Sequence, residues 1–249
     1  MREIADANAP GGGGKRPVLI VLHQEQSNPG HIGQWFRRNG HALDIRRPRF
    51  GDPLPPTLAG HCGAVIFGGP MSANDADDYI KIETDWIGVA LKEKAPLFGV
   101  CLGAQMMARL LGAKVACHPQ GQVEIGYYPL AAAEPARAMG DWPAHVYEWH
   151  REGFELPAGA RLLARSQGEF PNQAFAVGPA AVGVQFHPEI TYAQVNRWSG
   201  HNLDKLSAPG AQPQAQHLTG HIDYAPGVRR WLDGFLTRWV RRELVLPAA

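Results

Sequence analysis

Short, uninterrupted apolar runs that alternate with helical patterns are the feature that most limits what this chain can fold into. Continuous hydrophobicity, rather than strict alternation, is typical of strands covered on both faces, as in parallel sheets. Strand, helix, strand, helix with short connections therefore predicts a parallel sheet wrapped by helices. The predicted strands cover residues 18–22, 41–46, 64–67 and 96–100, and the predicted helices cover residues 32–38, 79–91 and 104–111.

The second half of the chain has a different pattern. Short segments separated by glycine and proline suit added strands or hairpins more than helices. A helical stripe that includes Val228, Trp231 and Phe235 predicts a C-terminal helix, residues 226–242, docked on the sheet. The polar stretch 200–224 is a candidate lid over a pocket. The predicted strands fall near residues 124–130, 146–150, 161–165, 173–177 and 181–186.

Composition narrows the class of protein. Of the 249 residues, 45% are hydrophobic and the formal net charge is +1, so we expect a sizeable core and no general attraction to nucleic acid or an acidic membrane. The longest aliphatic run, residues 18–22, is far shorter than the roughly 20 residues of a membrane helix. Three cysteines do not suggest a disulfide framework. We therefore expect a cytoplasmic protein with a disordered tail over residues 1–16, which lacks the apolar stretch of a secretory signal, and a single domain over residues 17–249.

A candidate nucleophile follows one of the buried strands. Cys101 stands in the sequence Gly-Val-Cys-Leu-Gly, between a predicted strand and a predicted helix. A strand–turn–helix elbow of this form exposes its central side chain, and the glycines give the turn room. The thiol would also lie at a helix N-terminus, where the dipole favours a thiolate. Cys62 and Cys117 lack this context and are interpreted as ordinary packing residues.

A candidate base and its orienting carboxylate lie 86 residues further on. His187 follows the apolar run that ends at Phe186, and Pro188 favours an extended backbone at His187. In an extended segment residues i and i+2 project to the same side, so Glu189 could hold one imidazole nitrogen and leave the other facing a thiolate. The tripeptide alone is weak evidence, and its weight comes from occurring together with the Cys101 elbow.

An oxyanion site also has candidates. The predicted third strand ends in Gly68-Gly69-Pro70, where glycine lets the backbone approach a ligand. The N–H groups of Gly69 and Leu102 could together bind a tetrahedral oxyanion, whereas Gly68 is interpreted only as part of the turn. His118, His145 and His150 lack paired ligand spacing, so we expect no metal site.

Together these segments resemble the class I glutamine amidotransferases, near the glutaminase region of GMP synthase. The resemblance runs from about residue 17 to residue 194. It implies an α/β fold, a flavodoxin-like three-layer sandwich whose mostly parallel central sheet carries added antiparallel strands in the second half. Further matching segments are Glu124-Ile125-Gly126, Trp149-His150 and Pro171-Asn172-Gln173-Ala174-Phe175.

Carried over residue by residue, the resemblance implies a Cys101 nucleophile, a His187 base and acid, and Glu189 as its orienting group. Gly69 and Leu102 would supply the oxyanion N–H groups. Gln105, Trp149 and His150 would contact the substrate, although the family often has His-x-Asp where this chain has His150-Arg151-Glu152. The implied reaction passes through a glutamyl thioester and needs no metal or organic cofactor.

Three functions remain open from the sequence. The first is a glutaminase that releases glutamate and ammonia. Its ammonia would go to a separate synthetase, because no Ser-Gly-Gly-x-Asp-Ser pyrophosphate loop is present in this sequence. The second is a stand-alone hydrolase of γ-glutamyl peptides or conjugates, which would use the same triad. The third, of another class, is a catalytically silent subunit with a binding or regulatory role, and the intact triad argues against it.

Overall fold

Residues 14–137 and 139–244 are described in the computed structural model of the chain. The strands are β1 (Lys15–Val21), β2 (His41–Arg46), β3 (Gly63–Ile66), β4 (Leu97–Val100), β5 (Val115–Cys117), β6 (Glu124–Pro129), β7 (Ala131–Ala132), β8 (His145–His150), β9 (Glu152–Phe154), β10 (Arg161–Arg165), β11 (Asn172–Val177) and β12 (Ala181–Val184). The α-helices are α1 (Gly30–Arg38), α2 (Asp78–Lys92), α3 (Leu102–Leu110), α4 (Glu134–Arg137), α5 (Tyr192–His201) and α6 (Gln214–Val240).

Eight strands form one sheet in the order β2-β1-β3-β4-β12-β11-β10-β7. The first five strands in this order are parallel, and the remaining three are added antiparallel. Two small antiparallel pairs, β5 with β9 and β6 with β8, lie outside this sheet. The structure confirms the predicted α/β fold with a mostly parallel central sheet and antiparallel strands contributed by the second half.

Helices cover both faces of the sheet, and β1 shows why its sequence is apolar throughout. Val18 and Ile20 pack in one buried cluster with Phe36 of α1 and Phe235 of α6. Leu19 and Val21 point the other way, into a second cluster that is completed by α2 and α3. Alternate residues of a strand face opposite sides, so a strand between two helical layers must be apolar at every position.

The C-terminal helix is longer than predicted. We expected residues 226–242, starting at Pro226, but α6 begins at Gln214 and keeps Pro226 inside. Tertiary contacts explain the extension: His217 is buried and its ring contacts the Tyr147 hydroxyl at 2.9 Å, while Gly220 packs under the ring of Tyr127. The expected lid, residues 200–224, thus consists of the end of α5, the connecting segment 202–213 and the first turns of α6.

The start of β1 and the presence of helix α5 also differ from the sequence predictions. The predicted tail, residues 1–16, lies outside the described residues for positions 1–13, but Lys15 and Arg16 belong to β1, so its boundary was placed too late. Helix α5 was not predicted at all, although Thr191 and Gln194 form a capping box that marks its start. Within the described parts of the chain, no helix is long and apolar enough to cross a membrane.

Candidate active site

The parallel strands direct several polar residues to one edge of the sheet. His23, Gly68 and Cys101 follow β1, β3 and β4, and Gln185 and His187 follow β12. In open α/β sheets the crevice beyond the carboxyl ends of the strands is the usual binding place. Here that crevice is a cavity of about 640 Å³ whose walls include Cys101, His187 and Glu189.

Cys101 has a backbone conformation that L-residues rarely adopt. Its φ is +50° and its ψ is −105°, and it caps the N-terminus of α3. The tight turn requires the glycine at position 103, because a Cβ there would lie 2.2 Å from the carbonyl oxygen of Ile66. The strain turns the side chain toward the crevice, as the Gly-Val-Cys-Leu-Gly sequence predicted. The N–H of Leu102 belongs to the first turn of α3, where helix N–H groups lack intrahelical partners.

His187 and Glu189 form a buried pair beside Cys101. The ring Nδ1 of His187 lies 2.9 Å from Glu189 Oε1, which leaves Nε2 available for another partner. Burial opposes a charged ring, but Glu189 and the Cys101 sulfur outweigh it and raise the pKa of His187 well above its usual value. The raised pKa of His187 means that the ring beside the Cys101 sulfur favours its imidazolium form.

Gly68 lies directly against this pair, a position that its interpretation as a simple turn did not foresee. A Cβ on Gly68 would lie 2.7 Å from His187 Cε1 and 3.3 Å from Cys101 Cβ. The missing side chain is what lets the ring and the thiol approach each other. Gly69, the predicted oxyanion donor, lines the same cavity and packs against the ring of His23.

Gln105 reaches the cavity wall, but its amide nitrogen is engaged within the protein. It donates to the carbonyl oxygen of Glu152 at 2.8 Å and to Gln185 Oε1 at 3.2 Å. Gln185 in turn donates to the Cys101 sulfur at 3.6 Å. Sequence reasoning missed Gln185, although it lies two residues before His187 at the end of the same strand.

The side chains of Trp149 and His150 make different contacts. Trp149 and His150 both line the cavity, and the Trp149 ring packs edge-on against Trp198. The His150 side chain is almost fully buried, with Nε2 3.1 Å from Glu124 and 3.2 Å from Glu148. Burial lowers the pKa of His150, but the two carboxylates outweigh it and raise the pKa to about 10. His150 is thus the cation of a buried ion triad at the cavity wall.

This triad is also the one cluster, within the described parts of the chain, whose donors could hold a metal ion. Its ligand atoms lie within 4.8 Å of one another. A neutral imidazole and two carboxylates would suit Zn²⁺. In the metal-free site, the raised pKa of His150 favours a proton on the ring, and this proton balances one of the two negative charges of the carboxylates.

Helix α5 contributes a wall of the cavity that sequence reasoning missed. Gln194, Arg197, Trp198 and His201 follow i, i+3, i+4, i+7 spacing and all line the cavity. The Trp198 ring lies edge-on to His187, with 5.1 Å between ring centroids. The capping box and this spacing are the signals that could have found the helix.

Comparisons with known proteins show the family to which the chain belongs. Residues 32–197 match the family described as glutamine amidotransferase class-I. The glutamine amidotransferase-like protein YfeJ of Salmonella typhimurium is 30% identical over 200 residues, which cover 76% of this chain and 82% of YfeJ. GMP synthase of Porphyromonas gingivalis is 33% identical over 146 residues, which cover 57% of this chain and 27% of that protein.

A solved structure is similar over nearly the whole chain. The glutamine amidotransferase of Methylobacillus flagellatus superimposes with a TM-score of 0.84 and 26% identity, covering 94% of this chain and 96% of its own. The family match covers more than half of the 249 residues and includes the strands and helices that hold Cys101 and His187. The chain therefore belongs to the class I glutamine amidotransferases and is an enzyme of that family.

Proposed function

We propose that the chain hydrolyses the γ-carboxamide of glutamine through Cys101, His187 and Glu189. The observation that carries this proposal is the strained Cys101 at the start of α3, beside an imidazole that Glu189 holds by Nδ1 at 2.9 Å. A thiolate stabilised by an imidazolium is already in the form that attacks a carbonyl carbon. The neighbouring Gly68 leaves space for that approach.

The reaction follows from these positions. The Cys101 thiolate attacks the carbonyl carbon, and the N–H groups of Gly69 and Leu102 bind the resulting oxyanion. The C–N bond then breaks as His187 gives its proton to the departing ammonia. His187, now neutral, takes a proton from water as the water oxygen attacks the thioester. The C–S bond breaks, which releases glutamate and restores the thiolate.

An electrophilic glutamine analogue tests this function and also the alternative of a silent binding protein. We expect a diazoketone analogue of glutamine to add once to the wild-type chain, as measured by intact mass, and not to add to Cys101→Ala. Cys117→Ser is the matched control, because Cys117 is exposed whereas Cys101 is buried. An adduct that survives Cys101→Ala, or no adduct on the wild type, would overturn the proposal.

Whether ammonia passes to a separate synthetase is a further part of this proposal. GMP synthase of Porphyromonas gingivalis is more than three times longer than the matched segment, whereas a GMP synthase subunit of Ignicoccus hospitalis is matched over 90% of its length. A separate acceptor would therefore resemble the arrangement in which the glutaminase is its own polypeptide. Glutamine turnover that rises when a synthetase is added would support this arrangement.

The size and charge of the cavity favour a second candidate, hydrolysis of γ-glutamyl conjugates with an acidic leaving group. A volume of about 640 Å³ falls in the range of about 300–1,000 Å³ that is typical of sites for drug-sized ligands. Four exposed cations line it, and none forms an ion pair with another described residue: Arg49, Arg151, Arg197 and Lys205. The α-carboxylate of a glutamyl group requires only one cation, so others are free for a carboxylate on the leaving amine.

Arg197 gives this candidate a specific test. We expect Arg197→Gln to lower kcat/KM for a γ-glutamyl dipeptide about tenfold, roughly 1.4 kcal/mol, with little change for glutamine or γ-glutamylmethylamide. Arg37→Gln is the matched control, since Arg37 is exposed and lies on α1, away from the cavity. A wild type that prefers glutamine over the dipeptide would leave the ammonia-releasing function as the conclusion.

A further inference from the structure

His23 and Glu83 form a buried, hydrogen-bonded pair that the proposed reaction does not use. Both residues are fully buried, and His23 Nε2 lies 2.7 Å from Glu83 Oε2. His23 comes just after β1, and Glu83 lies on α2. Burying two ionisable side chains costs free energy unless they are paired and well positioned. We therefore expect this pair to have a role in the protein.

The second ring nitrogen of His23 shows what the pair holds. Nδ1 lies 3.2 Å from the carbonyl oxygen of Gly68. A carbonyl oxygen can only accept, so Nδ1 must carry a hydrogen and donate it. The hydrogen bond between Nε2 and Glu83 Oε2 requires a second proton, which the ring and the carboxyl group share. His23 is therefore a fixed donor to the backbone of Gly68.

A hydrogen bond to the Gly68 oxygen also fixes the next N–H. The peptide between Gly68 and Gly69 is planar, and in a trans peptide the C=O and N–H point in opposite directions. Turning the Gly68 oxygen toward His23 thus turns the Gly69 N–H away from His23. The rotation of this one peptide plane decides whether that N–H is directed at the cavity.

Close packing on both sides limits the same peptide. A Cβ on Gly69 would lie 3.0 Å from His23 Cβ and 3.2 Å from His23 Cγ. On Gly68 a Cβ would lie 2.7 Å from His187 Cε1 and 3.3 Å from Cys101 Cβ. The two glycines are therefore held between the His23 ring and the Cys101–His187 pair, with the Gly68 oxygen anchored to the ring.

We propose that His23, supported by Glu83, is a positioning residue that orients the Gly68–Gly69 peptide so that the Gly69 N–H binds the oxyanion. The inference rests on the proposed function, because it assigns a device to that same site. Neither residue touches the substrate.

Two amide substitutions at position 23 separate the two ring contacts. In His23→Asn the amide nitrogen can take the place of Nδ1 and donate to Gly68, whereas in His23→Gln it takes the place of Nε2 and faces Glu83. Removing an oxyanion donor costs about 10²–10³ in kcat. We expect His23→Gln to lose about 30- to 100-fold in kcat with little change in KM, and His23→Asn to retain most of the wild-type kcat.

The rate of alkylation of Cys101 by iodoacetamide supplies a reference for the rate of turnover. If His23 had a purely structural role, its substitution would change the two rates together, whereas loss of an oxyanion donor would lower the turnover rate alone. This displacement at a saturated carbon forms no oxyanion, so in the folded chain its rate reports the access and reactivity of the Cys101 thiol alone. We expect the ratio of turnover to alkylation to fall about 30- to 100-fold in His23→Gln and to stay near the wild-type ratio in His23→Asn. Because an unfolded chain would also be alkylated at Cys101, the ratio is measured under conditions in which circular dichroism shows each variant to be folded.

The contrary results are distinct. Equal ratios for His23→Gln and wild type, or equal losses in both variants, would overturn the positioning role while the proposed function stands. A wild type that turns over neither glutamine nor a γ-glutamyl conjugate would instead overturn the proposed function, and the positioning role with it.

Discussion

Two buried histidine–carboxylate groups lie at the same cavity and differ in what the histidine faces. His187 is held on one side by Glu189 and has Cys101 on the other. His150 is held by carboxylates on the same ring nitrogen, Glu124 at 3.1 Å and Glu148 at 3.2 Å. Both rings have raised pKa values.

The difference between them lies in what the ring can do with its proton. In the proposed reaction, His187 lies beside the Cys101 sulfur, gives its proton to the leaving group and takes one back from water. Glu124 and Glu148 form an ion pair with no other cation among the described residues, so the proton of His150 is needed to balance their charge in part. A raised pKa therefore does not by itself identify a catalytic histidine, and the neighbouring groups decide its role.

The same substitution at both histidines gives the largest expected difference. We expect His187→Gln to lower kcat for glutamine by about 10⁴-fold or more, because the triad acts as a unit. His150→Gln should retain kcat per folded molecule within about tenfold, since its ring does not touch the reacting atoms. Turnover normalised to the folded fraction checks both, and equal losses in the two variants would remove the distinction between the two sites.

The losses in the free energy of unfolding should rank in the opposite order to the losses in kcat, with the larger loss at His150. We expect His150→Gln to lower the free energy of unfolding by roughly 3–5 kcal/mol, because it leaves Glu124 and Glu148 buried without a cation. His187→Gln should cost less, since only one buried carboxylate, that of Glu189, loses its partner. Urea unfolding followed by circular dichroism measures both, and a smaller cost at position 150 would contradict the ion triad.

A glycine substitution sharpens the comparison at the His187 side. Gly68→Ala would place a methyl group 2.7 Å from the His187 ring, so we expect kcat to fall about 100-fold while the chain still folds. Gly60→Ala is the matched control, because nothing lies within 4 Å of a Cβ there. If Gly68→Ala were fully active, the close approach of Cys101 and His187 would not be needed for turnover.

The sequence predicts the parts of this molecule that depend on local pattern. The parallel strands, α2 and the elbow at Cys101 follow from runs and spacings within about ten residues of each other, and the structure has them where they were expected. His187 and Glu189 lie two residues apart, so their hydrogen bond could be expected from the backbone alone.

Contacts between residues that are far apart in the sequence could not be predicted from local pattern. His23 contacts Glu83 across 60 residues, and Glu124 contacts His150 across 26 residues on a separate pair of strands. Such contacts depend on how the strands pair and not on local spacing. The first turns of α6 are polar and precede Pro226, so only their packing on Tyr127 and Tyr147 explains why they are helical.

The smallest expected effect concerns the pH dependence of the triad. Burial raises the pKa of Glu148 to about 7. The folded chain then holds a proton that the unfolded chain releases near pH 4.5, so this group's contribution to stability is lost as the pH rises from about 5 to 7. In Glu148→Gln that loss disappears, and we expect the variant to gain roughly 1–3 kcal/mol relative to wild type between pH 5 and pH 8.

Unfolding measured at several pH values checks this relative gain. Glu155→Gln is the matched control, because Glu155 is exposed and should show no such trend. A difference between Glu148→Gln and wild type that stays constant with pH would mean that Glu148 is ionised throughout. The His150 site would then hold two full negative charges beside one cation, and its resemblance to the balanced His187–Glu189 site would be weaker than the burial of Glu148 implies.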